Sequence, residues 1–455
     1  MKSIHLCCAL LASTSVAMAA APTNPPVQVV SNFERVETLS NGLKFVSKVD
    51  RIAPRVSLSL QVRVGASDET AKNAGWRRLY AGAVARGVPT SKGTLPLPKN
   101  DDGFGISRLA ERFGGDAGIS VGDDLIEFWA TGDSKSAPQM LSLLVGMWKS
   151  SRLSDADISA TRTNLTGQID AQDLDLAELT SAALRNQEFV NEKGEPVSYG
   201  LSEVGTTESL DALTPVRVRE LAKRVASSPA TLSAVGDVDT ASLRAMLQAL
   251  PAPSIVPAAT PKFAPIKAGK PPFVVRDVPT QTAWVFISYP LGHVSAEDAP
   301  ALRVLSAALS DIANARLTKR LLGGALVDGA PSALSLSSQF VFRRDGSELL
   351  LSAQTSASRV DKVKNALLDE VSKLKNAPLS ATEFESARTF ARGDWALSRQ
   401  SLRDRAFLVG QTTAVGNAPD GTWPARLAQL TPQKTQATAK RLFGSYAVAL
   451  VMPRS

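Results

Sequence analysis

Side chains able to do acid–base, nucleophilic or metal chemistry are few in this sequence, and their positions limit what it can catalyse. It holds two cysteines, Cys7 and Cys8, and two histidines, His5 and His293. Three of these four fall in a stretch that reads as a secretory signal peptide. Its parts are the basic start Met1-Lys2-Ser3-Ile4-His5, an apolar run from Leu6 to Met18, and the small-x-small exit Ala17-Met18-Ala19. Removal of residues 1–19 leaves no cysteine and the single histidine His293. Disulfides, Cys/His zinc sites and thiolate nucleophiles are then unavailable, and histidine-dependent acid–base work has one candidate. His293 stands in Leu291-Gly-His-Val-Ser-Ala-Glu-Asp298, with Glu297 and Asp298 as nearby acids; a histidine at a loop or helix entry is the simpler reading.

Other polar groups carry less. Asp170, Asp173, Asp175 and Glu178 offer oxygen ligands but not the spacing of an EF-hand loop, and read as part of a solvated helix. Trp76-Arg77-Arg78 could hold a peptide by cation and aromatic contacts, or could simply fill space. Gly323-Gly324 follows a helical stretch and reads as a C-cap and turn, not a phosphate loop.

The elements that must position these groups fall into two similar sets. With 455 residues, 44% hydrophobic and 21% charged, the chain has room for two domains with full cores. Lys and Arg are scattered despite the net charge of +8, so no nucleic-acid partner is expected. No run reaches the ~20 apolar residues of a membrane span. Leu250 to Pro272 is rich in proline and alanine and reads as an extended linker. The expected order is a signal peptide over 1–19, a flexible leader over 20–30, a first half over 31–249, the linker over 250–272 and a second half over 273–455. Val56 to Val64 alternates apolar and polar residues as a half-buried strand does, and Ala283 to Tyr289 is its counterpart. Helices are predicted over 73–86 and 296–322, further strands over 124–131 and 348–354. Val360, Val363, Leu367, Val371 and Leu374 mark an amphipathic helix. The pattern is α+β, with helices on largely antiparallel sheets.

Several strings in colinear order resemble the pitrilysin/insulinase peptidases, a family that includes mitochondrial processing peptidase and the core subunits of the bc1 complex. They are Leu39-Ser-Asn-Gly-Leu43, Val64-Gly-Ala-Ser-Asp-Glu69 with Ala74-Gly75, Phe113-Gly-Gly-Asp-Ala117, and Tyr199-Gly200. Gly205-Thr-Thr-Glu-Ser-Leu210 and Val235-Gly-Asp-Val-Asp239 follow, with weaker matches at Arg316-Leu317 and Leu379-Ser-Ala-Thr-Glu-Phe384. The resemblance implies a duplicated α+β fold, like that of mitochondrial processing peptidase, in which two pairs of halves enclose a substrate chamber.

Active members of that family carry the zinc motif H-x-x-E-H on the first helix. Placed against Gly75, the motif puts its histidines at Arg78 and Gly82 and its water-activating glutamate at Ala81. The later zinc-binding glutamate falls near Gln168. A guanidinium cannot coordinate zinc, Gly82 and Ala81 lack the functional groups, and Gln168 is a neutral, poor ligand. The arginine–tyrosine pair that active complexes use on substrate falls near Gly324 and Asp328, and no tyrosine occurs between Tyr289 and Tyr446. The resemblance therefore implies an inactive member with no metal or cofactor: a subunit, exported to the bacterial periplasm, that pairs with an active zinc peptidase and walls half of a chamber holding peptides. The alternative is a self-associating scaffold or peptide-binding protein of the cell envelope, as a homodimer. A third reading, an enzyme built around His293, is the least favoured.

Overall fold

The computed structural model describes residues 34–87, 105–149, 153–172, 175–259, 262–266, 272–278, 280–323, 331–417 and 420–453. The signal peptide and leader expected over 1–30 lie outside the described residues. Among the described residues eleven strands form two sheets. The first contains β1 (Arg35–Thr38), β2 (Lys44–Val49), β3 (Arg55–Val62), β4 (Asp116–Val121), β5 (Ile126–Asp133) and β6 (Ala230–Gly236) in the order β1-β2-β6-β3-β5-β4. The second contains β7 (Phe273–Val278), β8 (Ala283–Gly292), β9 (Ser335–Val341), β10 (Ser347–Thr355) and β11 (Ala447–Pro453) in the order β7-β11-β8-β10-β9. Matching β2 to β7 and so on along the chain reproduces the first order without β1, which is the trace of a duplication. In each sheet one pair, β2 with β6 and β7 with β11, is parallel and the rest are antiparallel.

Helices α1 (Trp76–Arg86), α2 (Gly105–Glu111), α3 (Ala137–Lys149), α4 (Asp155–Gln172), α5 (Leu176–Glu188), α6 (Thr207–Ala212), α7 (Pro215–Ser227) and α8 (Thr240–Gln248) belong to the first half. The second half supplies α9 (Ala299–Ser306), α10 (Val360–Asn376), α11 (Ala381–Leu397), α12 (Leu402–Ala414), α13 (Trp423–Ala428) and α14 (Pro432–Leu442). The stripe of α10 is buried as its spacing predicts, with Val363, Leu367 and Val371 fully covered. Ser380 and Glu383 cap α11 reciprocally, which explains one of the strings read in the sequence.

The two sheets fall inside the halves expected at 31–249 and 273–455, but one helix of each half packs on the other sheet. Helix α5 lies on β8 and β11, and α12 lies on β3 and β6. This exchange overturns one expectation about β3. Its apolar set Val56, Leu58, Leu60 and Val62 enters the first core, yet its polar set Ser57, Ser59 and Gln61 is equally buried, not solvated. Most of the polar face finds partners under α12: Gln61 Nε2 donates to Phe407 O at 2.7 Å, Ser59 Oγ donates to Glu127 Oε1 at 2.6 Å, and Arg403 reaches Glu127 Oε2 at 2.6 Å, while Gln61 Oε1 is left without a donor. A Cβ on Gly410 would lie 2.8 Å from Gln61 Nε2, so glycine lets α12 approach the sheet. On the other sheet Leu184 of α5 packs against Phe286, Ala447 and Ala449.

Two predicted helices are corrected. The one expected over 296–322 is broken: α9 runs into a π-helical turn at Ala307–Asp311, Ile312 is extended, and a second π-helical turn covers Thr318–Leu322. Short polar side chains explain the break. Asp311 takes the Arg303 guanidinium at 2.5 Å, and Thr318 Oγ1 donates to Ser310 O at 3.0 Å, which replaces regular helical pairing. The helix expected from Asn73 starts at Trp76, because Asn73 instead caps a turn by accepting from Thr70 N at 2.7 Å. The described part of the linker has no regular structure but is anchored, with Ala264 N donating to Val190 O at 2.8 Å and Phe263 stacked edge-on to Phe189.

Candidate functional site

Helix α1 begins where two of the sequence strings meet. Gly75 has φ +84, and a Cβ there would lie 2.5 Å from Val204 O; Gly205 has φ +87, and its Cβ would lie 2.5 Å from Ala74 O. Both the left-handed backbone and the mutual close approach demand glycine. Ser209 Oγ, from the capping box that starts α6, donates to Ala74 O at 2.8 Å and fastens the crossing.

Trp76 and Arg77 point into the protein. Trp76 is fully buried, and Arg77 donates from Nη2 to Glu69 Oε2 at 3.2 Å and from Nη1 to Gly122 O at 2.5 Å. Burial alone would lower the Arg77 guanidinium, but the charges of Glu69, Glu203 and Asp123 outweigh it and hold Arg77 charged. At Glu69 burial wins over Arg77, and its carboxyl sits above the usual range. Trp76 offers no surface for peptides.

The positions that match the zinc motif face the other way. Arg78 is partly exposed and pairs with Glu203 at 2.7 Å; Ala81 is buried. A Cβ on Gly82 would meet Thr161 Cγ2 of α4 at 2.5 Å. The α4 side chain opposite Gly82 is therefore Thr161, not Gln168. Gln168 is exposed seven residues further along α4, about 10 Å by the helical rise. The sequence carries no signal for Thr161, because only helix packing decides which turn of α4 faces α1. With a threonine methyl against a glycine, no space for an imidazole remains between the helices. Gly324 and Asp328 lie outside the described residues.

Rebuilding the motif as R78H, A81E and G82H together is expected to destabilise the protein by about 1–3 kcal/mol through overpacking against Thr161. It is also expected to leave zinc with a competing colorimetric chelator. Adding T161A should restore the stability. Stoichiometric zinc retention by the triple variant would show that the gap between α1 and α4 is open.

The remaining candidates do not converge. His293 is exposed, and its Nδ1 meets Arg344 O at 2.8 Å. Glu297 pairs with Arg426 at 3.1 Å, while Asp298 accepts from Ser295, Thr438 and Arg441. Asp175 caps α5, Glu178 pairs with Arg185 at 2.9 Å, and Asp173 lies outside the described residues. Among the described residues no group of three or more His, Cys, Asp and Glu is placed to hold a metal. A pocket of about 420 Å³ opens beside the start of α1, lined by Ala74, Arg77, Asp123, Arg185, Tyr199 and Glu203 among others.

The family described as "Peptidase M16 inactive domain" matches residues 215–390. A protease from Helicobacter pylori superposes with a TM-score of 0.78 at 16% identity, covering 93% of this chain and 100% of that one. The chain has the M16-like peptidase fold, and its residues 215–390 resemble the inactive domain. The peptidase M16 inactive domain from Pseudomonas fluorescens matches with a TM-score of 0.75 at 15% identity over 93% of this chain and 98% of its own. A chain of complex III2 from Candida albicans matches with a TM-score of 0.68 at 14% identity, covering 92% and 95% of the two chains. No curated protein sequence matches it. Residues 215–390 thus match a domain described as inactive, within a chain that has the M16-like fold. No helix among the described residues is long and apolar enough to cross a membrane.

Proposed function

We propose that this chain is the non-catalytic subunit of a heteromeric M16-type zinc peptidase of the periplasm, forming part of the wall around the substrate. The observation that carries the reading is the α1–α4 contact: the M16 frame is kept while the space for the metal ligand is closed by Thr161 on Gly82. A frame of this size, maintained without its chemistry, has its use in association. The edge strand β4, which among the described residues pairs only with β5 and runs beside α1, offers backbone groups to an extended peptide in the chamber. Tagging the mature protein in its own host and purifying it from the envelope fraction tests the proposal. A relative with an intact H-x-x-E-H motif is expected in near-equal amount, with its peptidase activity falling when this chain is deleted. Recovery of the chain alone or as a homodimer would overturn the heteromeric reading in favour of a scaffold or peptide-binding role.

A further inference from the structure

The seam where α5 enters the second half holds a cluster of buried charged groups that the proposed function leaves unused. Glu188 ends α5; its carboxyl is buried, and neither oxygen has a hydrogen-bond donor. It faces Glu348 on β10, also buried, and Ser288 on β8, whose hydroxyl donates to Glu348 Oε2 at 2.7 Å. From the turn between β9 and β10, Arg343 donates Nη1 to Glu348 Oε1 at 2.7 Å. Its Nε pairs with Asp123, in the β4–β5 turn of the first half. The Phe189 and Tyr199 rings flank the same guanidinium, each centred 5.5 Å away. Arg77 and Arg185 face Asp123 from its other side, and Arg185 is already paired with Glu178. Arg343 is thus the one cation within hydrogen-bonding reach of Glu348 among the described residues, and none reaches Glu188.

Two ionised carboxylates side by side in a buried seam would repel with little screening, and one guanidinium cannot satisfy both. A proton on one of them turns repulsion into a donated hydrogen bond. We propose that Glu188 and Glu348 share one proton at neutral pH, and that this proton latches α5 to the second sheet. Losing the proton in alkali leaves two buried anions and releases the helix. Burial first, and then the charge of Glu348, raise the Glu188 carboxyl well above its ordinary value of 4.5, while Ser288 and Arg343 act in the opposite direction. The folded state therefore binds this proton more tightly than the unfolded chain. Its stabilising effect is complete below about pH 4.5 and is lost as pH rises towards the raised folded-state value.

E188Q keeps the shape and a donor but cannot ionise. The wild-type Tm is expected to fall between about pH 6 and about pH 9, and the E188Q variant to show a flatter profile. At about pH 9, amide exchange in α5, corrected for its intrinsic rate, is expected to be about tenfold slower in E188Q than in wild type. Parallel Tm profiles and equal exchange in α5 would overturn the proposal. Infrared titration of the wild-type chain against E188Q decides it, since the difference between the two isolates this pair from other buried carboxyls such as Glu69. The band of a neutral buried carboxyl is expected to persist at neutral pH and to vanish in alkali. A difference spectrum without that band at neutral pH means both groups are ionised, and the shared proton does not exist.

Discussion

Replacing Arg343 with methionine is expected to cost about 3–5 kcal/mol of stability in a urea titration, enough to unfold a marginal domain. The loss comes from what is left behind. The single negative charge of the Glu188–Glu348 pair would lose its one cation and keep only the shared proton and the Ser288 hydroxyl, in a site where both carboxyls are buried. The Glu348 side chain is 3% exposed and that of Asp123 41% exposed, so the Glu348 arm carries most of the effect and the Asp123 arm is screened. Combining R343M with E188Q should recover little of the loss, because the pair that shares one proton carries a single negative charge and that charge stays on Glu348. A change below about 1 kcal/mol for R343M would mean that water or rearrangement satisfies the seam without the guanidinium.

Glu69→Ala is expected to be comparably damaging, again by about 3–5 kcal/mol. Both side chains of the Arg77–Glu69 pair are 2% exposed, and removal of Glu69 leaves Arg77 charged with the Gly122 carbonyl as its hydrogen-bond partner. Glu69 also accepts from Arg77 N at 3.3 Å, so the first turn of α1 loses an acceptor together with the ion pair. The double variant E69A/R77M should be less destabilised than E69A alone, because no buried charge then lacks a partner. Equal stability of E69A and wild type would mean that Arg77 finds another anion, with Glu203 and Asp123, whose charges already act on it, as the candidates.

Much of the frame was legible because its signals are local. The alternation in β3 and β8, the periodic stripe of α10 and the capping box at Ser380 each depend on a few neighbouring residues. The strings Ala74-Gly75 and Gly205-Thr206 could be read separately, although not their contact, which needs two left-handed glycines to meet backbone to backbone. The polar face of β3 was misread for the same reason. Serine and glutamine at alternate positions mark a solvated face unless something far away covers them, and what covers Gln61 is Phe407, 346 residues along the chain.

By itself, the sequence determined that a chain cleaved after residue 19 has no cysteine, one histidine and no zinc motif, because the chemistry of a side chain travels with its type. It also determined a duplicated α+β frame, because hydrophobic periodicity reports which side of each element meets a core. Only the tertiary structure decided that Thr161 fills the place beside Gly82, that α5 and α12 exchange sheets, and that Glu188 meets Glu348 beside Arg343. These are contacts between elements distant in sequence. Their identity depends on which turn of a helix faces which strand, and local propensity leaves that choice open until the halves are packed together.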